Sequence, residues 1–391
     1  MTYHAILIAS ILLLFAFGIE RVGKCLGIPS VVALIVIGML CKSLPSVFAV
    51  ESVDISSAIP VLGTLGLVLI VLEGALDIKL SRQKLRPAMT AFAMAGIGFS
   101  LCFAVFSLVA HFLFSLPPRE AMIVAVPFSV ISSAVAIPGS GFLSTAGREF
   151  VVYESAISDI LGVLVFYTLL NSDGAAADIM QGLVVGGLLS LTLGAACAIA
   201  LLWVLLRVDG HIRFIPLLAG LFALYITGKL MHLSPLIMVL LFGLFLNNRN
   251  LLARVRWLSQ PFAQDNEGDV EGFKALVQEL TFAVRSFFFI LLGYWTNASA
   301  LASPTAWAVA TMILVAIFWS RNVLLRLARI SPAWALTWIA PRGLITVLLF
   351  LSAKKVAALP SFLDGATLIV VFASAMAMSI GRRKRIRRAT A

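Results

Sequence analysis

Apolar stretches about 20 residues long recur along the whole chain, and they limit its fold more than any other feature. A helix of about 20 residues crosses the hydrocarbon core of a bilayer and satisfies its own backbone hydrogen bonds. The sequence lacks the alternating apolar and polar residues of a membrane β-barrel. The chain is 61% hydrophobic and 12% charged, whereas soluble domains are about 25% charged. We therefore predict an all-α integral membrane protein.

Charged, proline-rich or glycine-rich breaks divide the chain into thirteen predicted transmembrane helices. If the seventh, in the segment 178–207, is a linker, spans 1 to 6 (residues 1–171) and spans 8 to 13 (residues 212–380) begin on opposite sides of the membrane. Two such inverted-topology six-helix repeats are a common plan in secondary transporters. We expect one transporter domain over residues 1–391, with a basic cytoplasmic tail at 381–391. The predicted spans are 4–20, 28–41, 59–78, 87–115, 120–142, 148–170, 178–206, 212–230, 234–247, 275–296, 304–322, 332–353 and 362–380.

The formal net charge is +11, and most of the 29 Lys and Arg residues fall between spans on one side of the predicted membrane. The positive-inside rule makes that side cytoplasmic, so we expect the N-terminus outside and the C-terminus in the cytoplasm of a cell with an inner membrane. The basic tail then sets topology and contacts anionic lipid. Because topology explains the charge, no nucleic-acid partner is expected.

Spans 5 and 12 carry helix breakers at matching positions of the two halves. Span 5 contains "VPFSVISSAVAIPGSG" and span 12 contains "WIAPRGLITV". Such a pair indicates a binding site at the bilayer midplane, where unwound backbone supplies carbonyl groups and helix ends. We therefore expect two broken helices that cross at the midplane. Ser132 and Ser133, in the first break, are candidate ligands, although membrane hydroxyls often serve only helix packing.

Five charged side chains lie at least five residues from both ends of a predicted span, namely Glu73, Glu154, Asp159, Arg285 and Arg342. Each costs at least about 2.5 kcal/mol at the centre of a membrane helix, so each needs a partner. Asp159, Arg285 and Arg342 lie about 15 to 16 Å along their spans and share one depth. Three acids and two bases leave one carboxylate that a proton or a mobile cation must neutralise.

Helical spacing suggests which acid this is. Glu154 and Ser158 are four residues apart, as are Ser155 and Asp159, so they form two neighbouring stripes of one helix. We assign Glu154 to an ion pair with Arg342 and leave Asp159 as the free acid, with Ser155 beside it. Hydroxyl and carboxylate oxygens suit a hard monovalent cation. Because loss of water favours the protonated carboxyl, a proton and a cation compete for this site.

Structural roles are the alternatives at these positions. Asp159 could cap a kinked helix or pair with Arg285. Arg285 could equally be a structural tie between helices, and the pair of Glu154 and Arg342 could hold span 6 against broken span 12.

The motifs, in this order and at these depths, resemble the monovalent cation/proton antiporter superfamily, most closely the NhaP-type electroneutral sodium/proton exchangers. "GIPSVVALIVIGML", "VLEGALDI", "YESAISD", "VRSFFFILLG" and "APRG" resemble spans 2, 3, 6, 10 and 12 of that family. The resemblance implies that Asp159 is the cation and proton site, with Glu73 and Ser155 as further ligands. It also implies an ion pair of Glu154 with Arg342, and a six-helix core domain that moves against a dimerisation domain.

Two motifs depart from the family pattern. The fifth-span "TDP" is replaced by Ser132, Ser133 and Ala134, so the acid at the helix crossing is missing. The sixth-span "ND" is "SD", with Ser158 in place of Asn. Electrogenic relatives carry two Asp residues at that pair, so the single Asp159 favours 1:1 electroneutral exchange.

We therefore expect a homodimeric antiporter that exchanges protons for Na⁺, or for Li⁺ or K⁺, by alternating access and serves pH homeostasis. One alternative is a sodium-coupled organic anion symporter on the same fold, with Arg342 holding the substrate carboxylate. Another is a non-transporting sensor derived from an antiporter. The sequence has no metal-ligand cluster and no nucleophile paired with a base, so neither an enzyme nor a cofactor is expected.

Overall fold

The computed structural model describes residues 2–26, 29–43, 55–78, 85–172, 180–205, 214–231, 233–248, 267–296 and 301–389. All regular secondary structure in these ranges is helical, and helix occurs in each of the thirteen predicted spans. Among the described residues, 7 helical segments are long and apolar enough to cross a membrane. The all-α membrane fold is therefore confirmed, whereas the number of crossings and the inverted repeats stay predictions.

The helices follow the predicted order. A π-helix at Gly182–Gly186 leads into α8, within the predicted linker. The others are α1 (Thr2–Leu26), α2 (Ser30–Ser43), α3 (Ile55–Asp77), α4 (Leu85–Phe114), α5 (Pro118–Ser129), α6 (Ser133–Gly139), α7 (Thr145–Asn171), α8 (Gly187–Leu205), α9 (Phe214–Leu230), α10 (Pro235–Asn247), α11 (Glu267–Trp295), α12 (Pro304–Leu327), α13 (Ala333–Thr337), α14 (Leu344–Ala353) and α15 (Phe362–Ala389).

Among the described helices, four extend five or more residues beyond the predicted spans on the predicted cytoplasmic side, and α1 does so by continuing to Leu26. α11 begins at Glu267, within the polar stretch 247–274 between predicted spans 9 and 10, and α12 continues to Leu327. α15 runs to Ala389, so most of the predicted tail is helical. Residues 249–266 of the polar stretch, and residues 390 and 391 of the tail, lie outside the described residues.

The chain divides into two compact units, and neither coincides with a predicted repeat. Each unit combines segments from both halves of the sequence. The first unit is Met1–Gly66, Ala91–Asp159 and Phe282–Ala391, and the second is Leu67–Thr90 and Ile160–Thr281.

The core of the first unit is centred on Phe128 of α5. Its ring lies 6.4 Å from the ring of Phe106 on α4 and 6.2 Å from that of Phe350 on α14. Ala306 and Ala310 of α12 belong to the same buried cluster, and their small side chains let helices approach closely. This packing fixes the end of α5, where the helix is interrupted.

α2 and α11 also approach closely in the first unit. A Cβ at Gly38 would overlap the carbonyl oxygen of Ile290, and a Cβ at Gly293 would overlap that of Ile35. Two glycines facing each other in this way allow close backbone contact between membrane helices. The contact fixes α11, which carries Arg285.

In the second unit, α10 and α11 hold the end of α3. The Nδ2 atoms of Asn247 and Asn248 donate to the carbonyl oxygen of Ile78 at 3.0 and 2.8 Å. Lys274 on α11 forms an ion pair with Asp77. A carbonyl at a helix end has no intrahelical partner, so these bonds satisfy a group that burial would otherwise penalise.

Candidate ion-binding site

Two helices of the first unit are interrupted, as predicted, and the first interruption lies between α5 and α6. α5 ends at Ser129 and α6 begins at Ser133. Val130 and Ser132 between them have extended backbone, with ψ angles of 134° and 117°. Pro127, just before the break, has no amide hydrogen to donate to the helix.

The second interruption contacts the first. α13 ends at Thr337 and α14 begins at Leu344. The amide of Ser132 donates to the carbonyl oxygen of Pro341 at 2.9 Å. A Cβ at Gly343 would lie 2.7 Å from the hydroxyl oxygen of Ser132, so the two backbones meet where only glycine fits. The breakers in "VISSA" and "APRG" therefore lie against each other.

Two further amides of the first break find their acceptors on α7. The amide of Ile131 donates to the Oγ of Ser158 at 2.9 Å, and that of Ser133 donates to the Oδ2 of Asp159 at 3.1 Å. Broken membrane helices need such partners because no water reaches their backbone in hydrocarbon. Ser158 and Asp159 thus hold the break open from successive positions of one helix.

Asp159 is fully buried, with 0% of its surface exposed. Its Oδ1 atom accepts no hydrogen bond from any residue that the structure describes, and the same is true of the nearby Ser132 Oγ. No described basic side chain forms an ion pair with Asp159, so the alternative pairing with Arg285 is wrong. An unsatisfied buried carboxylate is costly, and a proton or a bound cation would satisfy it.

Ser155 lies one turn before Asp159 on α7 and is also buried. Its hydroxyl donates to the carbonyl oxygen of Val151 at 2.7 Å. A hydroxyl that donates to its own helix keeps lone pairs with which it can coordinate a cation. The hydroxyl of Ser158, by contrast, already accepts the amide of Ile131, so its evident role is to hold the break.

The predicted ion pair of Glu154 with Arg342 is wrong. The carboxylate of Glu154, 1% exposed, forms two 2.7 Å bonds with the Nη1 and Nη2 atoms of Arg321 on α12. The Nε atom of Arg321 donates to the carbonyl oxygen of Leu336 at 2.8 Å. Two parallel bonds are the strongest geometry between a guanidinium and a carboxylate, so Glu154 is neutralised by Arg321.

Arg342, in the second break, binds backbone rather than an acid. Its Nε donates to the carbonyl oxygen of Phe128 at 2.7 Å, and its Nη1 donates to that of Ala340 at 3.2 Å. Its own amide donates to the Oγ of Ser374 at 2.9 Å. The carbonyl end of a helix carries partial negative charge, so the guanidinium near the end of α5 is favourably placed. Arg321 likewise donates to a carbonyl oxygen near the carbonyl end of α13, that of Leu336.

Arg285 lies beside α6 and has a partner that the sequence analysis did not consider. Its Nη1 donates to the carbonyl oxygen of Ala134 at 3.3 Å, and its Nη2 lies 3.7 Å from a carboxylate oxygen of Glu20 on α1. It therefore ties α11 to α6, which agrees with the alternative of a structural tie. Glu73, the remaining predicted ligand, is half-buried on α3 and belongs to the second unit.

A cavity of about 320 Å³ borders α6 in the first unit. Ala134, Pro138 and Gly139 form one wall. Its charged lining residues are Glu20, Arg285 and Arg382. Polar space therefore reaches the helix whose first amide binds Asp159.

Sequence reasoning missed three residues of this arrangement, Arg321, Ser374 and Glu20. Arg321 lies one residue from the end of the predicted span 304–322 and was counted with the cytoplasmic bases, yet α12 continues to Leu327 and buries Arg321. The apolar residues "VLL" that follow Asn322 were the available signal. Nothing in the local sequence marks Ser374, because its role depends on the packing of α15 against the second break.

A multi-pass helical protein with two contacting broken helices, and with a buried acid that has no described ion-pair partner beside them, has the architecture of a secondary transporter. The chain belongs to the sodium/hydrogen exchanger family: the family model "Sodium/hydrogen exchanger, transmembrane" matches residues 8–381. This confirms the predicted resemblance, and it places the protein among transporters rather than enzymes.

Solved structures with the same fold include two of the sodium proton antiporter MjNhaP1 from Methanocaldococcus jannaschii. The structure at pH 8 has a TM-score of 0.73 and 16% sequence identity, and covers 97% of this chain and 100% of that one. A second, titled as an electron-microscopy map, has a TM-score of 0.71 and 18% identity, and covers 97% of this chain and 95% of that one. A comparison with curated protein sequences gives no match.

Proposed function

We propose that this protein exchanges protons for Na⁺ across the membrane and that Asp159 holds either ion in turn. The observation that carries the proposal is the surroundings of the Asp159 carboxylate. One oxygen accepts the amide of Ser133, and the other is buried without a partner among the described residues. A backbone amide holds this carboxylate in place, and its other oxygen has no described partner. Such a carboxylate suits an ion that enters and leaves.

The proposed ligands lie on the two sides of the first break. Asp159 Oδ1 and Ser132 Oγ are both buried and lack described partners, and oxygen atoms are the ligands that hard cations prefer. Ser155 contributes lone pairs from the turn before. We also keep Ser133 and Glu73 as ligands, Ser133 from its amide bond to Asp159 and Glu73 from the family resemblance alone. Ser158 acts mainly by holding the break.

One proton replaced by one monovalent cation at a single carboxylate gives electroneutral 1:1 exchange. The ion pair of Glu154 with Arg321 supports this stoichiometry, because it removes the neighbouring acid from ion binding. Alternating access of Asp159 to the two sides would complete the cycle. Li⁺ and K⁺ are the alternative cations.

The setting of the proposed activity follows from the sequence. We propose a homodimer in a cell inner membrane, surrounded by membrane lipids, with the N-terminus outside, the C-terminus in the cytoplasm and a role in pH homeostasis. The positive-inside distribution of Lys and Arg supports the orientation.

The organic anion symporter is disfavoured by the position of Arg342. Its Nε and Nη1 atoms donate to backbone carbonyls, so the guanidinium is committed to holding the second break rather than to a substrate carboxylate. A non-transporting sensor would share every contact described above. Only a flux measurement separates it from an exchanger.

The decisive experiment measures proton flux in proteoliposomes after addition of Na⁺, Li⁺ or K⁺, for the wild type and for Asp159→Asn. We expect Na⁺-dependent flux in the wild type and none above background in Asp159→Asn, because the amide cannot carry the exchanged charge. Flux in Asp159→Asn close to that of the wild type would overturn the proposal. A folded wild type without flux for any of the three cations would support the sensor instead.

Asp364→Asn is the matched control. Asp364 is an exposed aspartate that pairs with Lys354 at 2.8 Å, outside the candidate site, so its neutralisation should leave the flux unchanged. Stoichiometry is tested with an imposed membrane potential. Electroneutral exchange gives the same rate at each potential, whereas a steep dependence would contradict the 1:1 ratio.

A further inference from the structure

A polar cavity and an apolar groove meet in the first unit. The polar cavity is the one of about 320 Å³ beside α6, and its charged lining residues are Glu20, Arg285 and Arg382. The apolar groove has a volume of about 540 Å³ and is lined by α1 and α2. Gly23 and Ser30 line both, so the two spaces adjoin at these residues.

The groove has the dimensions and chemistry of a site for a hydrocarbon chain. Ile11, Leu14, Phe15, Ile19 and Val22 line it along three turns of α1. Leu14 and Phe15 are 72% and 62% exposed, so the groove opens to the surroundings of the helix rather than to a protein core. For a membrane helix those surroundings are lipid.

The polar cavity is suited to an anionic group. Two arginines and one glutamate line it, so the charged lining residues sum to a positive charge. Glu20 lies 3.7 Å from Arg285, which places its carboxylate beside a guanidinium. Ser30 and Ser379 add hydroxyl groups to the lining, and guanidinium and hydroxyl donors are common partners of phosphate oxygens.

Each space extends to residues near the end of an apolar helical segment. Gly23 is close to the end of α1 at Leu26, and Arg382 opens the basic run "RRKRIRR" of α15. Basic clusters next to membrane helices attract anionic lipid headgroups. The arrangement therefore places the Arg382 end of the polar cavity near the headgroups, whereas its Arg285 end and the groove lie deeper, among the acyl chains.

We infer that these adjoining spaces bind one anionic phospholipid, with its phosphate in the cavity near Arg382 and one acyl chain in the groove along α1. A soluble phosphate compound would fill the cavity alone and would leave the 540 Å³ groove unused. The inference does not depend on which ion the protein exchanges.

The test uses the full-length protein in detergent and measures its melting temperature with phosphatidylglycerol or with phosphatidylcholine of identical acyl chains. A ligand that binds only the folded protein raises the melting temperature. We expect a larger rise with phosphatidylglycerol. Arg382→Gln and Gly18→Leu should each at least halve the difference between the two lipids.

Gly18→Leu tests the groove without disturbing the fold. Gly18 lines the groove, and a Cβ added there meets no atom within 4 Å, so the new side chain enters empty space. Gly96→Leu is the matched control, because Gly96 on α4 also has no atom within 4 Å of an added Cβ and lies outside the groove. Arg326→Gln removes an exposed arginine elsewhere and controls for general attraction of anionic lipid.

Three results would overturn the inference. Equal rises with the two lipids would remove the preference for an anionic headgroup on which the inference depends. A phosphatidylglycerol effect unchanged in both Arg382→Gln and Gly18→Leu would place the lipid elsewhere, for example on the basic run of α15. An equal rise with glycerol 3-phosphate, unaffected by Gly18→Leu, would identify a soluble phosphate compound as the ligand.

Discussion

Two acids lie five residues apart on α7, and both are buried, yet their surroundings differ completely. Glu154 is bound by both terminal nitrogens of Arg321 at 2.7 Å. Asp159 is bound by one backbone amide, and its second oxygen has no partner among the described residues. The same helix thus carries one acid that Arg321 neutralises and one that no described basic side chain neutralises.

The difference shows how a transporter can keep several charges in one membrane-embedded region and still move a single ion. Arg321 and Arg342 bind the carbonyl ends of the two half-helices, through Leu336 and Phe128, and Arg321 also neutralises Glu154. The amide end of α6 is left to Asp159. Fixed charges therefore stabilise the breaks, and the proposed exchange site, Asp159, lies at a helix end that favours a negative charge.

The largest expected effect is on stability, and it comes from the neutralised acid. Glu154→Gln leaves the buried guanidinium of Arg321 without its counter-charge, and breaking a buried ion pair in this way costs about 3–5 kcal/mol. We expect a loss of this size in the free energy of unfolding, measured by denaturant titration in detergent. Asp159→Asn should be as stable as the wild type or more so in the absence of Na⁺.

The relative stability of these two variants tests the roles assigned to Glu154 and Asp159 directly. If Asp159→Asn proved the more destabilised of the two, Asp159 would be the structural acid, and the assignment of roles would be reversed. Asp364→Asn serves as the reference, because its pair with Lys354 is exposed and such pairs contribute about 0.2–1 kcal/mol.

An intermediate effect is expected at the contact between the two breaks. In Gly343→Ala the new methyl group would lie 2.7 Å from both the Oγ of Ser132 and a methyl group of Val135. Such overpacking costs about 1–3 kcal/mol. The same unfolding titration measures the loss, and proton flux should fall as well because Ser132 is displaced.

Gly96→Ala is the control for the glycine substitution. Gly96 lies on a helix, where Ala is the better helix former, and an added Cβ there meets no atom within 4 Å. Its stability should therefore be unchanged or slightly increased. A Gly343→Ala protein with wild-type stability and flux would mean that the two breaks can separate without consequence.

The parts of this site that the sequence could predict depend on local chemistry. Pro127, Pro138, Pro341 and Gly343 mark the two breaks because proline removes an amide hydrogen and glycine permits close contact wherever the chain folds. The length of each apolar run likewise predicts a helix. The buried acids Glu154 and Asp159 were found by position alone.

The partners of those acids could not be predicted, because they depend on how distant helices pack. Arg321 is separated from Glu154 by 167 residues, and the count of charges deep within predicted spans omitted it because its span was predicted to end one residue later, at 322, rather than at Leu327. The family pattern did not help here, since it suggested Arg342. The pairing of Glu154 with Arg321 nevertheless supports the proposal that Asp159 is the acid that binds the exchanged ion.

The smallest expected effect concerns pH and tests whether the second oxygen of Asp159 serves a proton and a cation in turn. If both compete for one carboxylate, Na⁺ must displace the proton, so the apparent dissociation constant for Na⁺ rises as the pH falls. While the carboxyl is mostly protonated, the rise is at most tenfold per pH unit, or about 1.4 kcal/mol. At higher pH, where the carboxyl is mostly ionised, the constant levels off.

Thermal stabilisation by Na⁺ across a series of pH values measures this dependence in the purified protein. Asp159→Asn should lose the Na⁺ effect at every pH, because the amide binds neither ion as the carboxylate does. Ser155→Ala should keep the pH dependence and weaken the affinity, since it removes a neutral ligand and leaves the proton site. An apparent affinity that does not change with pH in the wild type would mean that proton and cation bind at different places. The comparison between Glu154 and Asp159 would then explain the stability of α7 but not the exchange.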